Sequence, residues 1–399
     1  MDHSSLEDHL RASVIPRFQH LLGTIQSLEP YGSGLINDTY KLSILRAGTN
    51  EEKEDVVSFI LQRINHQVFT RPVKVMSNVE RVTKHLAEKI RKRGGDVQRE
   101  TLTLIPTTES SCSTSKEHEY FVVDDQGNHW RMYTFISGAT AYPIGKGIYC
   151  LRIRDGKTTI NIFREAGAAF CQFQLDLADL PPPRLHETIP GFGDSAVRFD
   201  QFQAALSRDL HGRAKDCQPE IQFCLDREQE SYILPKLLQD GKIPERITHY
   251  DTKIDNVLID DATGKGLCVI DLDTVMPGLA IYDFGDCVRT ATALAAEDEM
   301  DLTKVGFSME IFEWVAEGYL SIAKQFLTEL EMDHLVLVAR MVTFTMGLRF
   351  LADHLNGDVY YKTTRDNHNL DRARSQLKMV AEMEGNEEEM NTIIRHLRG

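Results

Sequence analysis

Residues 247–260 read ITHYDTKIDNVLID, and the interpretation of the whole chain begins with this stretch. Asp251 is followed five residues later by Asn256, and Lys253 lies between them. An aspartate here can accept the proton of a substrate hydroxyl, an asparagine can bind Mg²⁺, and a lysine can neutralise a migrating phosphoryl group. The same few residues also occur by chance in polar loops before a strand, so their weight depends on the residues around them.

The segment after this loop raises that weight. The strand-like VLID is followed by the turn DATGKG, by the strand-like LCVI, and then by Asp271 with Asp273 two residues further on. Two carboxylates this close repel each other unless a cation joins them, and oxygen ligands suit a hard cation such as Mg²⁺. We therefore predict that Asp271 and Asp273 bind Mg²⁺ together with Asn256; surface carboxylates at a strand end are the alternative.

A further aspartate, Asp283, begins an Asp-Phe-Gly tripeptide, which carries the metal-binding aspartate in protein kinases. Here the tripeptide follows the loop MPGLAIY instead of the second strand of the hairpin. Asp271, which ends an apolar strand, is therefore the better candidate for the metal ligand. Asp283 and His249 are predicted to be structural, with Asp283 bracing the catalytic loop through hydrogen bonds.

The stretch EPYGSGLINDTYKL (residues 29–42) places Gly32, Ser33 and Gly34 just before a predicted strand. Glycines let backbone amides approach phosphate oxygens, although an ordinary turn explains a Gly-x-Gly pattern equally well. The strand FILQRIN (residues 59–65) offers Gln62 or Arg63 as a donor to the phosphates. Only one of them can serve, because neighbouring residues point to opposite faces of a strand. Glu80 is the suggested carboxylate partner.

The predicted fold is α+β and protein-kinase-like, with two lobes. Residues 1–136 are predicted to form a small antiparallel-sheet N-terminal lobe that binds ATP, and residues 137–145 a hinge. Residues 146–399 are predicted to form a larger, mainly helical C-terminal lobe that holds the catalytic loop and the acceptor site. The apolar stretch Leu335–Leu351 contains Arg340 and Arg349, so we expect a core helix and not a bilayer span.

Composition excludes several classes of protein. The 399 residues contain 60 acidic and 45 basic side chains, a formal net charge of −15. Such a chain lacks the basic footprint of nucleic-acid binders and of polybasic membrane-surface proteins, so neither partner is expected. The N-terminal residues MDHSSLEDHL have no apolar signal region, and none of the seven cysteines has the spacing of a zinc or redox pair. We therefore expect a cytoplasmic protein.

Together these motifs resemble the aminoglycoside phosphotransferase and choline kinase superfamily, and within it the N-acetylhexosamine 1-kinases. The most specific part of the resemblance is IDLDTVMPG (residues 270–278) followed by YDFGD (residues 282–286). FREAGAAFCQFQ, LHETIPGF and GLRFLADHLNGDVYY extend it over nearly the whole chain. The resemblance implies a kinase that uses ATP and Mg²⁺ to phosphorylate the anomeric hydroxyl of N-acetylglucosamine or N-acetylgalactosamine.

The resemblance also implies roles for individual residues. Asp251 would be the base that faces the sugar C1 hydroxyl, and Gln62 would be the residue on the phosphate side. Arg349 and Tyr360 match positions that contact the sugar; without the resemblance they would be a snorkelling arginine and a core tyrosine. Leu35 stands near the sugar where family members carry a histidine, which leaves the acceptor preference open.

The sequence also departs from the family at Tyr250, and it leaves two alternative functions open. Tyr250 replaces a residue that is usually small or polar, and it is expected to pack instead of touching substrate. The same chemistry could also serve another acceptor, such as an unacetylated hexose, an amino alcohol or an aminoglycoside. A catalytically inactive binding protein is a third hypothesis, against which the intact base and metal ligands argue. The expected partners are a small-molecule sugar and ATP, and the expected state is a monomer or weak dimer.

Overall fold

The computed structural model describes residues 3–19, 21–32, 36–46, 55–108, 120–142 and 156–399. The predicted sites at Ser33, Gly34 and Leu35, and the hinge residues 143–145, lie outside the described residues. The chain divides into two compact units. The first comprises residues 1–139, 180–189 and 268–275, and the second comprises residues 140–179, 190–267 and 276–399. The first unit therefore includes two segments from the later part of the chain, in addition to the predicted N-terminal lobe.

The first unit is built on a five-stranded antiparallel sheet in the order β1-β2-β3-β5-β4. Its strands are β1 (Thr24–Pro30), β2 (Asp38–Arg46), β3 (Asp55–Ile64), β4 (Phe121–Val123) and β5 (His129–Thr134). Alternate residues of the three inner strands point into one core, as the two-residue repeat of a strand requires. The buried core residues of these strands are Leu42, Ile44, Phe59, Leu61, Trp130 and Met132.

The N-terminal segment packs on this core. Helix α1 (His3–His9) continues into a π-helical turn (Leu10–Val14) and a 3₁₀ turn (Ile15–Arg17). Leu10, Val14 and Phe18 belong to the same buried cluster as the inner strands. The segment therefore covers one face of the sheet with apolar side chains.

Helix α2 (Pro72–Lys92) is the main helix of the first unit, and α3 (Val97–Glu100) follows it. The buried apolar residues of α2 recur every three or four positions, as the sequence predicts for residues 78–91. They include Val75, Val79, Val82, Leu86 and Ile90. Asn78 is 1% exposed, and its side-chain amide donates to the carbonyl oxygens of His186 at 2.7 Å and Val275 at 3.0 Å. Helix α2 thereby holds both of the later chain segments that belong to this unit.

The second unit is mainly helical. Its helices are α4 (Gly156–Leu177), α5 (Ser195–Arg208), α6 (Gln218–Leu225), α7 (Ile233–Gln239), α8 (Ile281–Thr292), α9 (Met309–Ala323), α10 (Glu329–Asp333), α11 (Leu335–Leu355), α12 (His368–Gly385) and α13 (Glu387–Arg398). Helix α4 packs on α9, and α11 lies against α5, α8 and α12. Side-chain caps begin several of these helices; the Asp194 carboxylate, for example, accepts the N–H groups of Ala196 and Val197 at the start of α5.

Helix α11 contains the apolar stretch that the sequence assigns to the core. Among the described residues it is the one helix long and apolar enough to cross a bilayer, and 78% of its most apolar window is buried within the fold. Arg340, inside this stretch, forms ion pairs with Glu230 at 2.8 Å and Glu384 at 3.2 Å. These features are those of a core helix.

The short strands carry the polar loops. They are β6 (Ala139–Ala141), β7 (Arg246–Thr248), β8 (Val257–Asp260), β9 (Gly266–Val269) and β10 (Met276–Gly278). Strand β10 pairs with β7, and the other three form a sheet in the order β6-β8-β9. The hairpin β8–β9 follows a 3₁₀ turn (Ile254–Asn256) and precedes another (Leu272–Thr274). Asp251 thus lies before the hairpin and Asp271 immediately after it, in the order that the sequence predicts.

Candidate functional site

In the second unit, the loop after β7 brings together three of the predicted residues. The Asn256 side-chain amide donates to the backbone oxygen of Asp251 at 2.8 Å and to its carboxylate Oδ2 at 3.0 Å. The Lys253 ammonium nitrogen lies 3.3 Å from the same carboxylate oxygen. The Asp251 side chain keeps 32% of its surface exposed, so a substrate can reach the carboxylate while its two neighbours fix its position.

Asp283, at the start of α8, holds the backbone of this loop. Its two carboxylate oxygens accept the N–H groups of His249 and Tyr250, each at 2.8 Å, and one of them also accepts the Gln174 amide at 2.6 Å. The carboxyl group is fully buried, and burial raises its pKa to about 6, although the charge of His249 and these hydrogen bonds act in the opposite direction. Asp283 is therefore positioned to brace the loop just before Asp251.

A second brace comes from Asp286, which the sequence reasoning missed. The Asp286 carboxylate accepts the N–H of Thr252 at 2.8 Å and is held in turn by Arg289, whose Nη2 lies 2.8 Å from it. The signal was present in the sequence, because aspartates three residues apart lie on the same face of a helix. The run YDFGD thus places two buried carboxylates of α8 against three N–H groups of one loop, those of His249, Tyr250 and Thr252.

Tyr250 has an unusual backbone and a crowded ring. Its φ is 67°, in the left-handed region that a bulky residue rarely adopts. The ring lies edge-on to Phe192 at 5.8 Å between centroids and 5.9 Å from the ring of Tyr282. A Cβ atom on either Gly193 or Gly278 would overlap the Tyr250 ring. The two glycines therefore make room for this ring, one residue before Asp251.

In the first unit, the turn after β9 carries the other two predicted carboxylates. Asp271 has a φ of 60° and is partly buried, whereas the Asp273 side chain is only 1% exposed. The Asp273 carboxylate pairs with the Arg131 guanidinium through one oxygen and accepts the Asn37 amide at 2.7 Å through the other. The two aspartates, which the sequence treats alike, thus have different surroundings.

The same cluster distinguishes Gln62 from Arg63. The Gln62 carbonyl oxygen accepts Nε and Nη2 of Arg131, at 2.9 and 2.5 Å. Arg63 lies on the other face of β3, where it bonds to Asp38 at 2.7 Å and to Asn128 at 3.1 Å. Glu80, the suggested partner, bonds instead to Lys84 in its own helix at 2.6 Å. Gly32, which follows β1, has a φ of 81°.

The predicted metal ligands are one amide, Asn256, and two carboxylates, Asp271 and Asp273. Within the described ranges, no group of three or more histidine, cysteine, aspartate or glutamate side chains is arranged to hold a metal ion. A site made of one carboxylate, one amide and nucleotide phosphates would not require such a group. Asn256 donates through its amide nitrogen, so its carbonyl oxygen is the atom that a cation would use. Asn256 and Asp271 therefore have the donor chemistry that suits Mg²⁺.

Arg349 lies within a group of aromatic rings in the second unit. Its guanidinium carbon is 5.2 Å from the ring centre of Phe192, 5.5 Å from that of Tyr361 and 5.9 Å from that of Tyr360. The Tyr360 side chain is 59% exposed. The contact between Phe192 and Tyr250 connects this cluster to the loop that carries Asp251.

Two features around Arg349 were not foreseen from the sequence. Arg198 lies close enough that the charge of Arg349, after burial, lowers the Arg198 pKa. Within the part of the chain that the structure describes, neither arginine forms an ion pair with a carboxylate. In addition, the Asp353 carboxylate accepts the N–H groups of three successive residues, Val359, Tyr360 and Tyr361, at 2.9–3.0 Å. It thereby fixes the loop that carries the exposed Tyr360 ring.

Comparisons with known proteins agree with this architecture. A model of the phosphotransferase enzyme family matches residues 27–314, more than half of the chain. A putative aminoglycoside phosphotransferase from Ralstonia eutropha has a TM-score of 0.52 and 17% identity, over 99% of this chain and 98% of that one. An aminoglycoside phosphotransferase solved with GDP and kanamycin has a TM-score of 0.52 and 11% identity, over 95% and 99% of the two chains.

A choline/ethanolamine kinase family protein from Mesorhizobium loti covers 100% of this chain and 99% of its own, with 17% identity and a TM-score of 0.49. At these identities, the two matches with a TM-score of 0.52 establish the fold alone. They confirm the predicted kinase-like architecture of an antiparallel-sheet lobe and a helical lobe.

Proposed function

The chain belongs to the phosphotransferase enzyme family, and from this premise we propose that it transfers the γ-phosphoryl group of ATP to the anomeric C1 hydroxyl of an N-acetylhexosamine. Its general activity is that of a small-molecule phosphotransferase acting on a hydroxyl group. The observation that carries the proposal is the carboxylate of Asp251, held by Asn256 at 3.0 Å and by Lys253 at 3.3 Å. The choice of sugar is supported by the IDLDTVMPG and YDFGD motifs.

In the proposed reaction, Asp251 is the general base. Its carboxylate accepts the proton of the C1 hydroxyl while the sugar oxygen attacks the γ-phosphorus. The bond from that phosphorus to the bridging oxygen breaks, and ADP leaves with the electron pair. Lys253, beside the same carboxylate, offsets negative charge on the transferring group. The hydrogen bonds of Asp283 and Asp286 to the loop backbone keep the base in position.

Asn256 and Asp271 are the proposed ligands of Mg²⁺, and Gln62 is the proposed contact to the ATP phosphates. When bound, Mg²⁺ would neutralise part of the charge on the phosphates and orient them for in-line transfer. Gly32 lies at the edge of the segment proposed to cover the nucleotide.

The charges around Arg349 favour a neutral acceptor over a cationic one. Aromatic rings can bind an ammonium group, but here their cation is the guanidinium of Arg349, with Arg198 nearby. Asp194 also lies near Arg198, but its carboxylate caps helix α5. A second positive charge from choline, ethanolamine or an aminoglycoside would be repelled at this place. A neutral sugar can instead accept hydrogen bonds from a guanidinium.

The test is to incubate the purified protein with Mg²⁺-ATP and a panel of acceptors, and to assign the product by phosphorus NMR. N-acetylglucosamine and glucosamine form a matched pair, because glucosamine lacks the acetyl group and carries a positive charge. We expect a phosphorus signal coupled to the anomeric proton with the acetylated sugar, and little product with glucosamine, choline or kanamycin. Turnover of choline or kanamycin without turnover of either N-acetylhexosamine would refute the proposal.

A further inference from the structure

Arg131 and Asp273 form a buried ion pair in the first unit. The two residues are 142 positions apart in sequence, and each side chain is only 1% exposed. Burying a charge is costly unless an opposite charge and hydrogen bonds compensate it. Burial acts to lower the pKa of the Arg131 guanidinium, and the adjacent Asp273 carboxylate more than offsets this by raising it. Each partner therefore requires the other.

Both oxygens of the Asp273 carboxylate are engaged within the protein. One accepts from Arg131, and the other accepts the Asn37 amide at 2.7 Å. Asn37 is held in turn, because its carbonyl oxygen accepts the N–H of Asn65 at 2.9 Å. The Asp273 side chain is only 1% exposed, so a cation would have to enter a buried site directly beside the positive charge of Arg131.

The opposite edge of the Arg131 guanidinium determines how Gln62 is oriented. Nε and Nη2 both donate to the Gln62 carbonyl oxygen, at 2.9 and 2.5 Å. A guanidinium has donors only, so the Gln62 amide must turn its oxygen toward Arg131 and its nitrogen away. That nitrogen donates one hydrogen to the Thr39 hydroxyl at 3.0 Å and carries a second. Gln62 thus presents a donor with a permanent positive charge behind it.

We propose that Asp273 is the buried counter-ion of Arg131 and not a metal ligand, and that Arg131 is a positioning residue that orients the Gln62 amide toward the nucleotide phosphates. The pair would then perform, through Gln62, the task that a lysine on the corresponding strand performs in protein kinases. The second half of this inference rests on the proposed ATP-dependent function, whereas the first half does not.

The counter-ion role is tested by thermal unfolding of Asp273→Asn, Arg131→Met and the double variant. Each single change leaves one buried charge without its partner, so we expect Tm to fall by roughly 5–10 °C. The double variant removes both charges at similar volume, and its Tm should recover above that of the less stable single variant. Additive losses in the double variant would overturn the pairing.

The claim that Asp273 is not a metal ligand is tested separately. Mn²⁺ binding is measured by electron paramagnetic resonance in the presence of ADP. Asp273→Asn should keep its Mn²⁺ affinity within about twofold of the native protein, whereas Asp271→Asn should lose about tenfold or more. An equal loss in the two variants would make Asp273 a ligand and overturn the inference. If no nucleotide binds at all, the proposed function fails, while the unfolding result still decides the pairing.

The positioning role is tested with Arg131→Lys, which keeps the charge but loses the two-pronged contact to Gln62. We expect the KM for ATP to rise about fivefold or more, with the KM for the acceptor unchanged, and Gln62→Met to add little to this effect. Arg63→Lys is the matched control, since Arg63 follows Gln62 on β3 but bonds to Asp38 on the other face of that strand. An equal rise in both KM values would leave Arg131 with a purely structural role and overturn this half of the proposal.

Discussion

The ring of Tyr250 occupies the space that a side chain on Gly278 would need, and its hydroxyl is the atom nearest to that space. Strand β10 therefore closes over the residue that precedes Asp251. The φ of 67° at Tyr250 is maintained on one side by this packing and on the other by the hydrogen bond from its N–H to Asp283. The position of the proposed base thus depends on a glycine 27 residues away in sequence.

We predict that Gly278→Ala lowers kcat by about 100-fold, because a displacement of about 1 Å at a catalytic group has an effect of this size. The added methyl group would push Tyr250, and with it Asp251, out of place. Steady-state kinetics provide the measurement, and Gly385→Ala provides the control, since a Cβ at Gly385 meets no atom within 4 Å. If Tyr250 is the cause, Gly278→Ala should change kcat less than about twofold in a Tyr250→Ala background; a full additional loss there would contradict the explanation.

The second prediction concerns the base itself. Asp251→Asn keeps the size of the side chain but removes the proton acceptor, so kcat should fall by roughly 10²–10⁴-fold. The dissociation constant for ADP, measured by calorimetry, should remain close to the native value, because the proposed metal and phosphate contacts involve other residues. Native-like turnover in this variant would remove Asp251 from the mechanism.

The loop around Asp251 could be predicted from sequence because its key groups lie close together along the chain. Asp251, Lys253 and Asn256 lie within six residues of sequence. In the structure, Lys253 and Asn256 both contact Oδ2 of the Asp251 carboxylate. The alternation of side chains along β3 likewise predicted that only one of Gln62 and Arg63 could join the inner cluster. Local spacing and the two-residue period of a strand were sufficient in both cases.

Arg131 and its partner could not be predicted in this way. The pair connects β5 to the turn after β9 across 142 residues, and no local pattern reports a contact of that range. The one available signal was a charged residue inside the apolar run WRMYT, on a strand with buried residues on both sides. Tyr250 was expected to pack, but the need for small residues at Gly193 and Gly278 appears only when three separate segments are brought together.

The third prediction is a pH dependence of stability that originates at Asp283. Burial raises the pKa of this carboxyl to about 6, above its ordinary value of about 4 in an unfolded chain. A carboxyl group with a raised pKa in the folded state stabilises the fold at low pH, and this contribution is lost as the pH rises through about 6. Asp283→Asn cannot titrate, so the free energy of unfolding of the native protein, relative to this variant, should fall by about 2 kcal/mol between pH 4 and pH 7.

Urea unfolding of both proteins across this range measures the difference. Asp301→Asn is the control, because hydrogen bonds from Thr303 lower the pKa of this exposed carboxyl, which gives a slope of the opposite sign. A difference between native protein and Asp283→Asn that does not vary with pH would show that Asp283 keeps an ordinary pKa.

The last prediction distinguishes an effect on the KM for the acceptor from an effect on the KM for ATP. Arg349→Ala should raise the KM for N-acetylglucosamine about tenfold while the KM for ATP changes less than about twofold, because the guanidinium lies among Phe192, Tyr360 and Tyr361 in the cluster proposed to receive the sugar. Arg372→Ala is a matched control, since Arg372 also stacks on an aromatic ring, that of Phe350 at 5.6 Å, and bonds to Asn369. If Arg349 only stabilises the fold, Arg349→Ala should lower Tm and change both KM values equally. A rise confined to the KM for the acceptor would instead show that the guanidinium acts on the sugar. Choline should then be a better acceptor for Arg349→Ala than for the native protein, because the variant lacks this positive charge.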